Sequence, residues 1–134
     1  MTYHLEDGQA YELGELAEKM GIVITEVSGT QTGGHMPVEG NRQPYGLLHG
    51  GASVVFAETL GSIAASAHAG PGQIPVGIEI NATHHRTATA GNVTGLARVI
   101  SQGKTLVSYE IVIHDDDGGK VCTARLTCML IEAR

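Results

Sequence analysis

Apolar residues recur at Leu13, Leu16, Ala17 and Met20, the spacing of one helix face, and Gly21 follows as a stop. The pattern predicts a short amphipathic helix over Tyr11–Met20. Ile22-Val23-Ile24-Thr25-Glu26-Val27 is short and β-branched, Ser28-Gly29 can turn the chain, and Thr30 to Val38 can return as a second strand. Gly40 to Pro44 is a polar loop rich in turn formers. From Gly51 to Ala67 the chain has helical length and composition, yet Glu58 is its only charge. A helix with a solvent-facing side carries several charged residues there. This one is therefore expected to be enclosed by protein on nearly all sides, and Gly70-Pro71-Gly72 ends it.

Beyond Pro75 the pattern becomes extended. Val76 to His84, Asn92 to Ile100, Thr105 to His114 and Lys120 to Ile131 read as four strands, with turns at Gly91, Gln102-Gly103 and Asp116-Asp117-Gly118-Gly119. In the last strand Cys122, Ala124, Leu126, Cys128 and Leu130 fall on one face, and Thr123, Arg125, Thr127 and Met129 on the other. Runs of strands with one interior helix argue for an α+β fold with an antiparallel sheet. With a single apolar helix to bury, the economical solution is a curved antiparallel sheet wrapped around one long central helix, as in the hotdog fold. Small residues on one strand face, Val93, Gly95, Ala97 and Val99, let helix and sheet approach closely.

Composition narrows the function. A chain of 134 residues forms one domain, spanning 1–134. Its hydrophobic fraction of 42% fills a core, and its charged fraction of 16% is well below the usual roughly 25%. The formal charge of −6 argues against nucleic acid as a partner. No apolar stretch is long enough to span a membrane, and Met1 to Asp7 has neither the basic nor the apolar region of a signal peptide. A soluble, cytoplasmic protein with no membrane partner is expected. Cys122 and Cys128 lie on one strand about 20 Å apart, too far for a disulfide. They read as small buried hydrophobes.

Glu58 is the residue that needs a reason. Burying a lone carboxylate costs several kcal/mol, so it is exposed, paired or working. Gly51, Val54, Val55, Ser62 and Ala65 share its helix face, and Ser62 is the nearest polar neighbour. A polar edge of Glu58, Thr59, Ser62 and Ser66 meeting solvent is the plain alternative. His49-Gly50-Gly51 adds chemistry. The first N–H groups of a helix lack internal partners, and glycine lets a ligand oxygen reach them, which makes an anion or oxyanion site. Glu58 lies two turns further on, about 10–12 Å along the axis. One helix therefore cannot close both groups on one carbonyl, and a closed site needs a second copy in a two-fold dimer.

The string Gln43-Pro44-Tyr45-Gly46-Leu47-Leu48-His49-Gly50-Gly51-Ala52-Ser53, followed by Ala57-Glu58-Thr59-Leu60-Gly61-Ser62, resembles the hotdog-fold acyl-CoA thioesterases. The likeness is greatest to the group with a helix glutamate, which includes 4-hydroxybenzoyl-CoA, enterobactin-proofreading and 1,4-dihydroxy-2-naphthoyl-CoA thioesterases. It continues through Val76-Gly77-Ile78-Glu79-Ile80-Asn81-Ala82-Thr83-His84-His85-Arg86 and covers all but roughly the first thirty residues. The resemblance implies that Glu58 is the catalytic nucleophile or general base and that the Gly50 N–H polarises the thioester carbonyl. It further implies that Gln43 and His49 position the carbonyl or the water, and that Ser62 and His84 position substrate or water. The substrate it implies is an acyl thioester, aromatic or medium-chain, of CoA or of a carrier protein. A homo-oligomer, dimer or tetramer, is implied as well.

A thioester has an electrophilic carbonyl and a good leaving group, so a carboxylate and fixed donors suffice and no cofactor or metal is expected. For the CoA phosphates the candidates are Arg86, Ser101, Gly103 and Lys104, against the alternative of ordinary surface positions. His84 and His85 are adjacent on a strand and point to opposite faces, which disfavours a shared metal. His35, His68 and His114 have no partner at ligand spacing, and Asp115-Asp116-Asp117-Gly118-Gly119 is a hairpin turn without calcium-loop spacing. Ser53, Ser62 and Ser66 lack a nucleophile elbow. A hydratase would want a His–Asp pair where this helix offers a lone Glu. A non-catalytic acyl-CoA sensor remains the alternative from a different class.

Overall fold

In the computed structural model, which describes residues 2–4 and 10–134, the chain runs through β1 (Thr2–His4), β2 (Ala10–Glu12), α1 (Glu15–Met20), β3 (Val23–Val27) and β4 (Gln31–Pro37). It continues through α2 (Gly50–His68), β5 (Gln73–His84), β6 (Asn92–Gln102), β7 (Leu106–Asp115) and β8 (Lys120–Glu132). The strands from β3 onward form one antiparallel sheet of order β3-β4-β6-β7-β8-β5, and β1 pairs with β2 separately. The long helix lies against one face of that sheet. This is the expected hotdog architecture.

Two boundaries differ from the sequence reading. The helix expected over Tyr11–Met20 begins only at Glu15, because Ala10–Glu12 is paired as a strand with Thr2–His4 and Gly14, at φ 92°, breaks the chain before the helix. Strand β5 starts at Gln73 rather than Val76 and runs straight through Pro75. That is possible because β5 is the sheet edge, bonded only to β8, and an edge strand can spare a missing N–H. The remaining ends fall within two residues of expectation.

Phe56, Ala57, Leu60 and Ala64 of α2 are fully buried on the sheet, opposite Val93, Ala97, Ile111 and Leu126. Small residues set the depth of this contact. A Cβ on Gly61 would come to 2.6 Å from Leu126, and one on Gly95 to 2.7 Å from Leu60 and 2.9 Å from Phe56. Cys122 and Cys128 are buried free thiols on the inner face of β8, as their alternation predicts.

The enclosure of α2 is only partial within one chain. Val54, Val55, Glu58, Thr59, Ser62 and Ser66 are half-buried, because the sheet covers one side of the helix and, among the described residues, the other side meets little more than the short α1 and the segment before it. The free edge of β5 is also uncovered, with Ile74, Val76 and Ile78 exposed along it.

Candidate active site

The site begins at the α2 N-terminus, which the preceding loop holds by its backbone. Leu48 N–H donates to Ala88 O at 2.8 Å and His49 N–H to Asn41 O at 2.9 Å, while Asn41 Nδ2 donates to Met20 O and Pro37 O. His49 is the N-cap: its Nδ1 accepts from Gly51 N–H at 2.8 Å, which places the proton of the neutral ring on Nε2. Gly50 N–H, by contrast, has no acceptor among the described residues. It opens into a hollow shared with Gln43, Ser53, His84, Arg86 and Val121.

Gln43 is oriented by its own turn. Its Oε1 accepts from Tyr45 N–H and, at 3.4 Å, from Leu47 N–H, in a bend closed by Gln43 N–H to Leu47 O and by Gly46 at φ 82°. The carbonyl end being engaged, the Nε2 hydrogens are the end left for the hollow. The His84 ring lies over Gly50, where a Cβ would sit 3.1 Å from its Nε2. His85 bonds Thr123 Oγ1 at 2.9 Å instead, so the two histidines do diverge, although both border the hollow. Among the described residues no group of three His, Cys, Asp or Glu side chains could hold a metal ion.

Glu58 faces a second hollow, of about 360 Å³, lined by apolar Leu13, Leu16, Val55 and Ile63 and by polar Thr59, Ser62 and Ser66. Leu13 and Leu16 bring the amino-terminal segment into the site, a role their helical spacing alone does not reveal. The Glu58 carboxylate lies over the bare backbone of Gly77, and Cys128, the register partner of Gly77, lies beneath Glu58 and Ser62. Burial pushes the Cys128 thiol up; a Ser62 hydrogen bond opposes the rise and the Glu58 charge adds to it. Thr59 is occupied locally, donating to Val55 O at 2.7 Å.

The structure thus brings Gln43, Gly50, His84 and Arg86 together, and separately Glu58 and Ser62. His49 points to neither group; it borders a neighbouring hollow with Asn41, Gly51 and Val55. Arg86 stands at the rim of the first hollow, tied to Asp115 at 3.4 Å, a partner supplied by the last residue of β7, within the Asp115–Gly119 stretch that reads in the sequence as a plain hairpin. Gly103 and Lys104 are at the far end of α2, where His68 Nε2 and Gly103 O are 3.2 Å apart. Ser101 is exposed on β6 opposite Ser108 and lines none of these hollows.

The sequence profile of the thioesterase superfamily matches residues 45–122, more than half the chain. The chain belongs to the thioesterase superfamily. This thioesterase is 41% identical over 128 residues to the proofreading thioesterase EntH of Cronobacter sakazakii, covering 95% of this chain and 93% of that one. It matches the crystal structure of a mutant of thioesterase PA1618 from Pseudomonas aeruginosa with TM-score 0.85 and 38% identity, over 90% of this chain and 88% of the other. The thioesterase SAV0944 of Staphylococcus aureus matches with TM-score 0.83 and 32% identity over 86% of this chain and 97% of its own. It has been solved with a glutamine and, separately, with a glutamate changed to alanine, two positions with the same spacing as Gln43 and Glu58. The chain is a thioester hydrolase with the hotdog fold of its relatives.

Proposed function

We propose that this thioesterase hydrolyses an aromatic acyl thioester of CoA or of an acyl carrier protein, in a site built by two copies of the chain. The observation that carries the reading is the division of one helix into two half-sites, donors at its start and a carboxylate two turns on, both beside the unpaired edge of β5. A second copy can lay its β5 antiparallel against that edge. With the two-fold axis near Ile80 and Asn81, Gly77 of one chain, under Glu58, meets His84 of the partner subunit, beside that subunit's Gly50.

In this arrangement the thioester carbonyl accepts from Gly50 N–H and a Gln43 Nε2 hydrogen of one subunit, with Glu58 of the other on the acyl carbon side. Glu58 either attacks the carbonyl itself or removes a proton from a water that attacks. The negative oxygen is held by the fixed donors, and collapse expels the thiolate. In the water route the thiolate takes the proton held by Glu58. In the nucleophilic route it is protonated from solvent, and a water then cleaves the acyl–Glu58 anhydride to release the acid. Ser62 and His84 border the reacting groups and position substrate or water. His49 serves by fixing the helix start through its bond to Gly51.

The acyl group occupies the hollow beside Leu13, Leu16, Val55 and Ile63. The same two-fold rotation carries the Gly103–Lys104 end of one subunit toward the Arg86 end of the other, which supports a CoA phosphate site there, with Ser101 on its approach. Exposed Ile74, Val76, Leu106, Met129 and Ile131, cross-strand neighbours at one end of the sheet, support pairing of dimers into a tetramer. The free thiols fit a reducing, cytoplasmic setting.

The test is hydrolysis of benzoyl- and straight-chain acyl-CoA by Glu58→Gln, followed by thiol release. The reading expects kcat to fall about 10²–10⁴-fold with product-like CoA still bound. Near-normal turnover would falsify it.

A further inference from the structure

The floor beneath the Glu58 carboxylate is the backbone of Gly77, a lone glycine inside β5 at the point where the strand bulges. The register of β5 against β8 runs Val76↔Met129, Gly77↔Cys128 and then Glu79↔Thr127, so Ile78 is the extra residue. Gly77 therefore faces the helix, and a Cβ built there would stand 2.5 Å from Glu58 Oε2 and 3.6 Å from its Cδ. Next nearest is Leu126 Cδ1, at an ordinary 3.6 Å, and no other described atom comes closer than that. Gly77 has no left-handed φ to protect. A methyl group at this position thus meets a single obstacle, the carboxylate at the end of a flexible side chain.

We propose that Gly77 is a positioning residue for hydrolysis: its missing side chain is the seat on which the Glu58 carboxylate rests within reach of the thioester. The proposal rests on the reading of Glu58 as the catalytic carboxylate. Relieving a 2.5 Å contact to normal separation moves the carboxylate by roughly 0.7–1 Å, and a displacement of that size at a reacting group costs on the order of 10²-fold in rate. The fold has no reason to object, since every other atom near the new methyl keeps an ordinary distance. The bulge is what turns the glycine inward at the level of Glu58, and bulges commonly re-aim residues beside active sites.

The experiment is a double-mutant cycle of Gly77→Ala with Glu58→Asp, which draws the carboxylate back by one methylene and clears the space. Melting temperature, oligomeric size, kcat and KM are measured for all four proteins. Gly77→Ala is expected to melt and assemble like the parent and to keep its KM, with kcat reduced about 10–100-fold. In the Glu58→Asp background the same Gly77→Ala change is expected to cost less than about 3-fold, because no clash remains. Equal losses in both backgrounds, no loss in either, or a Gly77→Ala protein that fails to fold or assemble would each overturn the proposal while leaving the Glu58 reading intact. Undiminished turnover by Glu58→Gln overturns both together.

Discussion

Cys122, Cys128 and Tyr109 are acids that the fold keeps protonated. Burial pushes both thiols above their ordinary value of 9.0 and the Tyr109 hydroxyl above 10.0, although Gln102 bonds the latter. Between the unfolded and folded pKa of each group the folded chain binds the extra proton, so stability falls as pH rises. Their contribution is full below the ordinary thiol value and is lost as pH climbs through the folded values. Urea midpoints are expected to hold to about pH 8 and then decline through pH 10, with a shallower decline in Cys122→Ala/Cys128→Ala. A midpoint that stays flat to pH 10 would contradict this. The alternation of β8 makes the burial of both cysteines legible in the sequence. The nearness of Cys128 to Glu58 is not legible, because it depends on how a bulged neighbouring strand brings Gly77 under the helix. Arg86 is a similar case: its position at the hollow could be argued from the motif, but its partner Asp115 is brought to it by the end of β7 in the assembled sheet.

At the scale of elements, the central contact is α2 on the sheet, set by glycines on both sides of the interface. A methyl group on Gly95 must displace both Leu60 and Phe56, neither of which has free space to enter, since both are fully buried. Gly95→Ala is expected to lose about 1–3 kcal/mol in urea unfolding, an overpacking cost, while retaining the sheet signature in circular dichroism. Unchanged stability would mean that helix and sheet are less closely packed than their distances state. The hydrophobic pattern reveals most of these elements because period and turn chemistry agree in them. It misplaces the start of α1, where Leu13 continues a helical spacing that Gly14 interrupts. It also misplaces the start of β5, where Pro75 reads as a break but lies on a sheet edge that tolerates it. Edge position is a property of the assembled sheet, and no local pattern carries it.

For the whole molecule, the described residues of a single chain leave the half-buried side of α2 and the free edge of β5 uncovered, and the two hollows lie along them. An exposed twelve-residue edge is a template for pairing with another strand, and in the proposed dimer a second copy occupies it and joins Gly50 to Glu58. The low charge of the chain, 16%, fits a protein that buries much of its surface against copies of itself. The most direct measurement mixes two inactive proteins, Glu58→Gln and Gln43→Ala, after dissociation and reassociation of their subunits. If each site takes its glutamate from one subunit and its donors from the other, every mixed dimer contains one intact site. Random mixing then restores about a quarter of parental hydrolysis. If both half-sites of one chain serve the same substrate, the mixture stays as inactive as its components, and the shared-site account is wrong.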